Sequence, residues 1–254
     1  MKSIRTFFKK EIFAEVFVPA KQFTKVLIMC DGAPSVPSKK TLAEFFVKKG
    51  YVVIHIRYRG TWESRGVFLE KSLDQDILDV IDELAPRRSF AGLPKGFVDL
   101  WTKEKYKIDA KKIVLLGSSF GGPAVILASR DPRVDKVIAV SPVIDWARDG
   151  KAERMKDFIP YMLDVFGMVY RTNRQGWDKL MSGTFYSPHA ERKTVDGSKI
   201  FILAAKDDDV VPFQTTAQFA KFTRATLIAK KTGGHIRSTL IIQPALWKKI
   251  SKFL

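Results

Sequence analysis

The stretch IVLLGSSFGGPAVILASR, residues 113–130, combines a strand, a tight turn and a helix in one short segment. Four apolar residues run into Gly117-Ser118-Ser119-Phe120-Gly121-Gly122, after which apolar residues return at helical spacing. A serine among glycines at such a junction either packs the helix onto the strand or exposes a nucleophile on a strained turn. A nucleophilic serine needs a base and an acid elsewhere in the chain, so the remaining sequence decides between the two interpretations.

Apolar strand-like runs alternate with amphipathic helical ones, which predicts an α/β fold: a mainly parallel twisted sheet flanked by helices. The predicted strands are Glu11–Val18, Lys25–Cys30, Tyr51–Arg57, Lys112–Gly117, Lys136–Ser141, Lys199–Ala204 and Ala225–Ala229. The predicted helices are Ser38–Lys49 (with Ser38 as its N-cap), Ser72–Leu84, Gly121–Arg130, Gln214–Phe222 and Pro244–Leu254. No linker or repeat divides the 254 residues, so we expect a single domain over 1–254.

Two segments interrupt this alternation. Ala85–Tyr106, with several prolines and glycines, predicts a loop with a short helix. Trp146–Ser198 is rich in aromatic and methionine side chains and separates two predicted strands. Because a connection of that length in a compact domain usually serves function, residues 146–198 predict a lid over an active site.

The composition excludes several classes of protein and leaves one open. Cys30 is the only cysteine, so no internal disulfide forms, and without a signal-like or membrane-spanning stretch we expect a cytoplasmic protein. The formal charge is +17, which admits nucleic acid or an anionic surface as a partner. However, the basic residues occur as scattered pairs and no nucleic-acid motif accompanies them, so a solvated cationic surface and no specific nucleic-acid partner are expected.

The three histidines leave little choice for a base. In one class of serine hydrolases the acid follows the serine in the chain and the histidine comes last. His235 lies in a glycine-hinged loop after the last predicted strand, where that order requires the base, whereas His55 lies inside a strand and His189 at the irregular end of the insertion. The acid should follow Lys199–Ala204, where three adjacent aspartates, Asp207-Asp208-Asp209, leave the choice open.

An oxyanion formed at Ser119 needs two hydrogen-bond donors. Phe120, the residue after the nucleophile, supplies one backbone N–H, and the loop after Lys25–Cys30 should supply the other. That loop reads Asp31-Gly32-Ala33-Pro34, in which Ala33 is the predicted donor and Gly32 the alternative. The histidines are too dispersed to ligate a metal, so no metal and no other cofactor is expected.

The chain resembles the α/β-hydrolase superfamily, and within it the catalytic domain of the prolyl oligopeptidase and acylaminoacyl peptidase family and related esterases. Residues 117–122 are similar to that family's Gly-x-Ser-Tyr/Phe-Gly-Gly turn, and Ser141-Pro142-Val143-Ile144-Asp145-Trp146 to its Ser-Pro-Val-Thr-Asp-Trp stretch. The resemblance implies an α/β-hydrolase fold, to which the insertion over residues 146–198 would add a helical lid, and it selects Asp208, ahead of Val210-Val211-Pro212, as the catalytic acid. One departure is Asp31, since the family normally has His-Gly-Gly-Pro there; an acid near the oxyanion must point away or pair with Arg57 or Arg59.

These observations predict a serine hydrolase in which Ser119, His235 and Asp208 form a catalytic triad. We expect it to cleave carboxylic esters, with Phe158, Tyr161, Phe166 and Trp177 of the lid as candidate substrate-binding residues. The alternative is a peptidase acting on short or acylated peptides, since the same triad serves both reactions. A third hypothesis is a non-catalytic basic binding protein on a hydrolase scaffold. The presence of Ser119, Asp208 and His235 in the required chain order opposes it.

Overall fold

The computed structural model describes residues 1–20, 24–85, 96–148, 150–152 and 154–254. The strands are β1 (Lys2–Phe8), β2 (Ile12–Val18), β3 (Lys25–Cys30), β4 (Tyr51–Ile56), β5 (Gly96–Val98), β6 (Lys105–Lys107), β7 (Lys112–Ser118), β8 (Lys136–Val140), β9 (Ile200–Ala205) and β10 (Thr226–Lys230). The helices are α1 (Lys40–Lys48), α2 (Asp74–Leu84), α3 (Gly121–Ala128), α4 (Met155–Phe166), α5 (Arg174–Met181), α6 (Phe213–Thr223) and α7 (Pro244–Phe253). Short 3-10 turns cover Gly197–Lys199 and Ser238–Ile242.

The main sheet has the strand order β1-β2-β4-β3-β7-β8-β9-β10. From β4 to β10 every neighbouring pair is parallel, whereas β2 is antiparallel to both β1 and β4. This arrangement confirms the predicted mainly parallel sheet. The carboxyl ends of the parallel strands meet at one edge, so the loops after β3, β7 and β9 converge there. Asp31, Ser119 and Asp208 lie in those three loops.

Both faces of the sheet are covered. Buried side chains of α1 and α7 pack on one face, and those of α2, α3 and α6 on the other. The central strands are buried on both sides, with every residue of β4 and β9 buried. This explains why their sequences are continuous apolar runs rather than alternating ones.

The amino-terminal strand β1 was not among the predicted strands. Ile4, Thr6 and Phe8 alternate inward along it, and it pairs with β2 across a tight turn. The turn places Lys9 and Lys10 at φ values of +49° and +59°, a region usually occupied by glycine or asparagine in hairpins. Two lysines give no turn signal, so the hairpin is not evident from local sequence.

Two further expectations need correction. The segment predicted as a loop with a short helix forms, in its described part, the two-stranded hairpin β5–β6; residues 86–95 lie outside the described residues. Helix α1 begins two residues after Ser38, and its N-cap position is Lys39, with no side-chain cap. The amphipathic face of α1 is buried on the sheet, so packing supports this helix where a cap does not.

The insertion between β8 and β9 contains α4 and α5. Isolated bridges join its residues Tyr170 and Thr172 to Thr61 and Phe68 of the loop after β4. Arg171 adds hydrogen bonds from its guanidinium to carbonyl groups in the same loop. The insertion is therefore attached to the body at its centre as well as at its ends. None of the helices in the described ranges combines the length and the apolarity that crossing a bilayer requires.

Candidate active site

Ser119 occupies the sharp turn between β7 and α3. Its φ of +52° lies in the left-handed region that non-glycine residues rarely adopt. The strained turn is held by backbone hydrogen bonds: the Ser119 N–H donates to Val140 O at 2.9 Å, and the Ser119 carbonyl accepts from Gly122 N at 2.9 Å. Strain of this kind persists only where the surroundings enforce it, and it is concentrated at functional sites.

The glycines around Ser119 are required by close backbone approach. A Cβ on Gly117 would lie 2.3 Å from the Gly121 carbonyl oxygen, and one on Gly122 would lie 2.4 Å from Pro142 Cβ. A Cβ on Gly121 would lie 2.3 Å from the Asp31 carbonyl oxygen and 2.6 Å from that of Cys30. Glycine thus lets the helix start directly against the end of β3, which brings the loop after β3 beside Ser119.

We expect Gly121→Ala to lower the free energy of unfolding by about 3 kcal/mol, because the added methyl group collides with backbone that cannot rotate away. Gly50→Ala is the matched control. Gly50 has a φ of +83° but open space around its Cβ position, so alanine there adds only backbone strain of about 1 kcal/mol. Urea unfolding of both variants measures the difference. Equal losses would show that the close approach at Gly121 is not what the turn requires.

The three adjacent aspartates after β9 have different partners. The Asp207 carboxylate accepts hydrogen bonds from Gly233 N and Gly234 N, at 3.1 and 2.9 Å, and so shapes the loop that carries His235. The Asp208 carboxylate faces the His235 ring. The Asp209 side chain is exposed, and its carbonyl accepts from Ala152 N at 2.8 Å.

Asp208 and His235 form a directed pair. The His235 Nδ1 atom lies 3.0 Å from Asp208 Oδ2, and the other carboxylate oxygen accepts from Val210 N and Val211 N at 3.0 and 2.9 Å. Burial raises the pKa of Asp208, but the hydrogen bond with His235 and those two N–H groups outweigh it and leave the pKa below 3.8. The Asp208 side chain is 2% exposed and that of His235 27%. The carboxylate is thus an ionised, enclosed partner of a ring that faces open space.

That open space is a cavity of about 850 Å³, lined by both Ser119 and His235. Both residues belong to the described part of the chain, and no hydrogen bond of 3.5 Å or less joins their side chains. A nucleophile and its base are often separated in this way without substrate, and the contact tightens in the complex.

The predicted oxyanion donors lie at the same place. Phe120 and Ala33 line the cavity together with Gly32. A Cβ on Gly32 would lie 3.2 Å from Ser119 Cβ and 3.7 Å from Ser119 Oγ, so this backbone runs directly past the serine. The Phe120 side chain points into the core, where it packs 4.8 Å from Trp146 and 5.7 Å from Phe68, ring centre to ring centre.

Asp31 pairs with His55, which is neither of the two partners, Arg57 and Arg59, that the sequence offered for it if it did not point away from the oxyanion. The His55 Nε2 atom lies 2.9 Å from Asp31 Oδ2, and Lys39 Nζ lies 3.6 Å from Asp31 Oδ1. Burial raises the pKa of Asp31, but His55, Lys39 and the more distant charge of Arg57 outweigh it and lower the pKa below 3.8. Arg59 instead binds Glu11, Asp76 and Asp79.

Sequence reasoning missed His55 as this partner. In the parallel pairing of β3 and β4, His55 lies opposite Met29, two residues before Asp31. His55 could have been identified from the strand order, because that order places β4 beside β3. Local sequence does not determine the strand order.

The four candidate residues of the insertion divide into two groups. Phe158 and Tyr161, on α4, line the cavity together with Met155. Phe166 and Trp177 are not among the described residues that line it. Trp177 is buried instead beside Phe68, with the ring centres 6.0 Å apart, and Phe166 packs edge-on against Tyr170. Within the described ranges no group of three His, Cys, Asp or Glu residues could hold a metal ion.

Among solved structures, this chain is similar to an esterase from Pyrococcus furiosus (TM-score 0.65, 16% identity, 100% of this chain and 89% of that one). It is also similar to an esterase from Thermogutta terrifontis with butyrate bound (TM-score 0.63, 16% identity, 99% and 93% covered). The α/β hydrolase GrgF from Penicillium sp. sh18 gives a TM-score of 0.67 at 17% identity, with 99% and 96% covered. These likenesses establish the α/β-hydrolase fold.

A comparison with curated proteins found no match. The family comparison is more specific, because it matches the sequence itself over most of its length. Residues 37–240, which include Ser119, Asp208 and His235, match the prolyl oligopeptidase family. The chain therefore belongs to the prolyl oligopeptidase family.

Proposed function

We propose that this protein is a serine hydrolase that cleaves carboxylic esters through an acyl-enzyme intermediate. The observation that carries the proposal is the placement of Ser119, on its strained turn, in the same cavity as a histidine that is held by a buried, ionised carboxylate. A glycine turn that only packed a helix onto a strand would need neither partner.

In the proposed mechanism Ser119 Oγ attacks the ester carbonyl carbon. His235 Nε2 takes the hydroxyl proton and later returns it to the leaving alcohol, while Asp208 fixes the ring tautomer through Nδ1 and stabilises the imidazolium. The resulting acyl-enzyme is hydrolysed by a water molecule that His235 deprotonates in turn, which frees the acid and restores Ser119. The Ser119–His235 contact must close when substrate binds.

The backbone N–H groups of Phe120 and Ala33 are the proposed oxyanion donors. Both lie on cavity-lining residues, and Phe120 directly precedes α3, whose free N–H groups favour negative charge. The removal of one such donor typically costs about 3 kcal/mol of transition-state stabilisation. Asp31 does not oppose this charge strongly, because its carboxylate is engaged with His55 and Lys39.

The apolar part of the cavity favours an ester with an apolar acyl or alcohol group. Met155, Phe158 and Val143 line it, and we assign residues 146–198, with α4 and α5, as a lid over the site. The two similar esterases support the same substrate class. A peptidase acting on short or acylated peptides is the second candidate, favoured by the family to which the chain belongs.

A fluorophosphonate probe and a substrate ranking test the proposal together. We expect the probe to label the wild type and Ser118→Ala but not Ser119→Ala. We also expect aryl esters of short acids to be cleaved faster than any aminoacyl anilide. The reverse ranking would favour the peptidase. An unlabelled wild type that is retained on nucleic acid at physiological salt would support the non-catalytic alternative.

A further inference from the structure

Three basic side chains, Lys39, Arg148 and Arg237, line the cavity that contains Ser119. Among the described residues of its wall the only carboxylate is that of Asp145, whose Oδ1 accepts a hydrogen bond from Ala147 N at 3.0 Å. A cavity that binds only apolar groups would not need this excess of positive charge.

Two of these basic side chains, Arg148 and Arg237, have no carboxylate partner within the described chain. The other arginine near the start of α4, Arg154, is 2.7 Å from Asp157, and Lys39 is 3.6 Å from Asp31. Arg148 and Arg237 are exposed and form no ion pair with any residue described. Within the described chain, their guanidinium groups therefore remain available to a ligand.

Both arginines lie on segments that are fixed to the catalytic loops. Arg237 is two residues beyond His235, and Ile236 N between them donates to the buried Ser141 Oγ at 3.1 Å. The segment after Arg148 packs on the loop that carries Asp208: Ala152 N donates to Asp209 O, and a Cβ on Gly150 would lie 1.9 Å from Val210 O. Charges carried on such anchored backbone are well placed to select a substrate.

From these observations we propose that the preferred substrates carry a carboxylate, which Arg148 and Arg237 bind while Ser119 attacks the ester group. This inference rests on the proposed ester hydrolysis and names the substrate class: half-esters of dicarboxylic acids, or esters of hydroxy acids. Guanidinium groups suit this role because they bind carboxylates through two parallel hydrogen bonds. The net charge of +17 adds a long-range attraction for such anions.

The test compares matched esters that differ only in the anionic group. On the acyl side the pair is the mono-4-nitrophenyl ester of adipic acid and its methyl-capped form; on the alcohol side it is 4-acetoxybenzoate and its methyl ester. We expect wild type to favour the anionic member of one pair at least tenfold in kcat/KM at low salt. Which pair shows the preference tells whether the carboxylate belongs to the acyl or the alcohol part.

The preference should fall about tenfold in Arg148→Gln/Arg237→Gln and remain in Arg154→Gln, the matched control outside the cavity wall. A wild-type ratio near one for both pairs, or a ratio that the double variant retains, overturns the inference. A protein that cleaves none of the four esters contradicts the proposed function instead. Calorimetry then tests the inference separately from catalysis. The Ser119→Ala protein should bind monomethyl adipate, and adding Arg148→Gln and Arg237→Gln to it should abolish that binding. If the Ser119→Ala protein does not bind monomethyl adipate, the inference is overturned.

Discussion

Ser119→Ala is expected to lower kcat/KM for an aryl ester by about 10⁵-fold while leaving the fold and its stability intact. The hydroxyl is the proposed nucleophile, and the loss of a serine nucleophile typically removes all but the catalysis supplied by the oxyanion donors and by binding. The Ser119 hydroxyl makes no hydrogen bond within the described part of the chain, so alanine leaves no buried partner unsatisfied. Steady-state kinetics and thermal unfolding of the same preparations measure the two quantities.

Ser118→Ala is the control for this result, since it changes the neighbouring hydroxyl in the same turn. We expect it to keep activity within about tenfold of wild type, because Ser118 has no role in the proposed mechanism. If Ser119→Ala keeps more than about 1% of wild-type activity on a purified sample, the nucleophile is another residue.

Asp208→Asn is expected to lower kcat by about 10⁴-fold. An amide at this position can donate to the histidine, which favours the wrong ring tautomer, and it cannot stabilise the imidazolium that forms when Ser119 gives up its proton. The low pKa of Asp208 means that the carboxylate is ionised throughout the range from pH 5 to 8. The defect should therefore be present across that whole range.

The neighbouring aspartates provide the comparison. Asp209→Asn should leave kcat near the wild-type value, because its side chain is exposed and Asp209 is not among the described residues that line the cavity. Asp207→Asn should have an intermediate effect, since it weakens two hydrogen bonds that hold the histidine loop. A larger loss in Asp209→Asn than in Asp208→Asn would show that Asp209, and not Asp208, is the acid of the triad.

The same three aspartates show how much of the candidate site can be predicted from local sequence. The chain order places an acid after β9 and a histidine after β10, and the sheet brings both loops to one edge. Alternation along the chain could not select one of three adjacent carboxylates; the resemblance to a family selected Asp208. In the structure the path of the loop gives these carboxylates different partners: that of Asp207 binds the backbone before His235, while that of Asp208 turns toward the His235 ring.

The features that sequence analysis did not predict depend on contacts between distant segments. Strand β1 is stabilised by its pairing with β2, and its turn contains Lys9 and Lys10, which carry no hairpin signal. The partner of Asp31 could not be assigned either, because His55 reaches it from a neighbouring strand. Burial of the long central strands and the glycine turn around Ser119 follow from properties of a few adjacent residues, and these were predictable.

Because of the Asp31–His55 pair, the loop after β3 cannot simply be exchanged for the corresponding loop of a related enzyme. Related enzymes normally begin this loop with histidine, whereas here the imidazole comes from β4 and the loop supplies its carboxylate. A graft of the common loop alone would set two imidazoles side by side, with Lys39 left without its acid. Positions 31 and 55 are therefore expected to change together, both when homologous sequences diverge and when a designer recombines them.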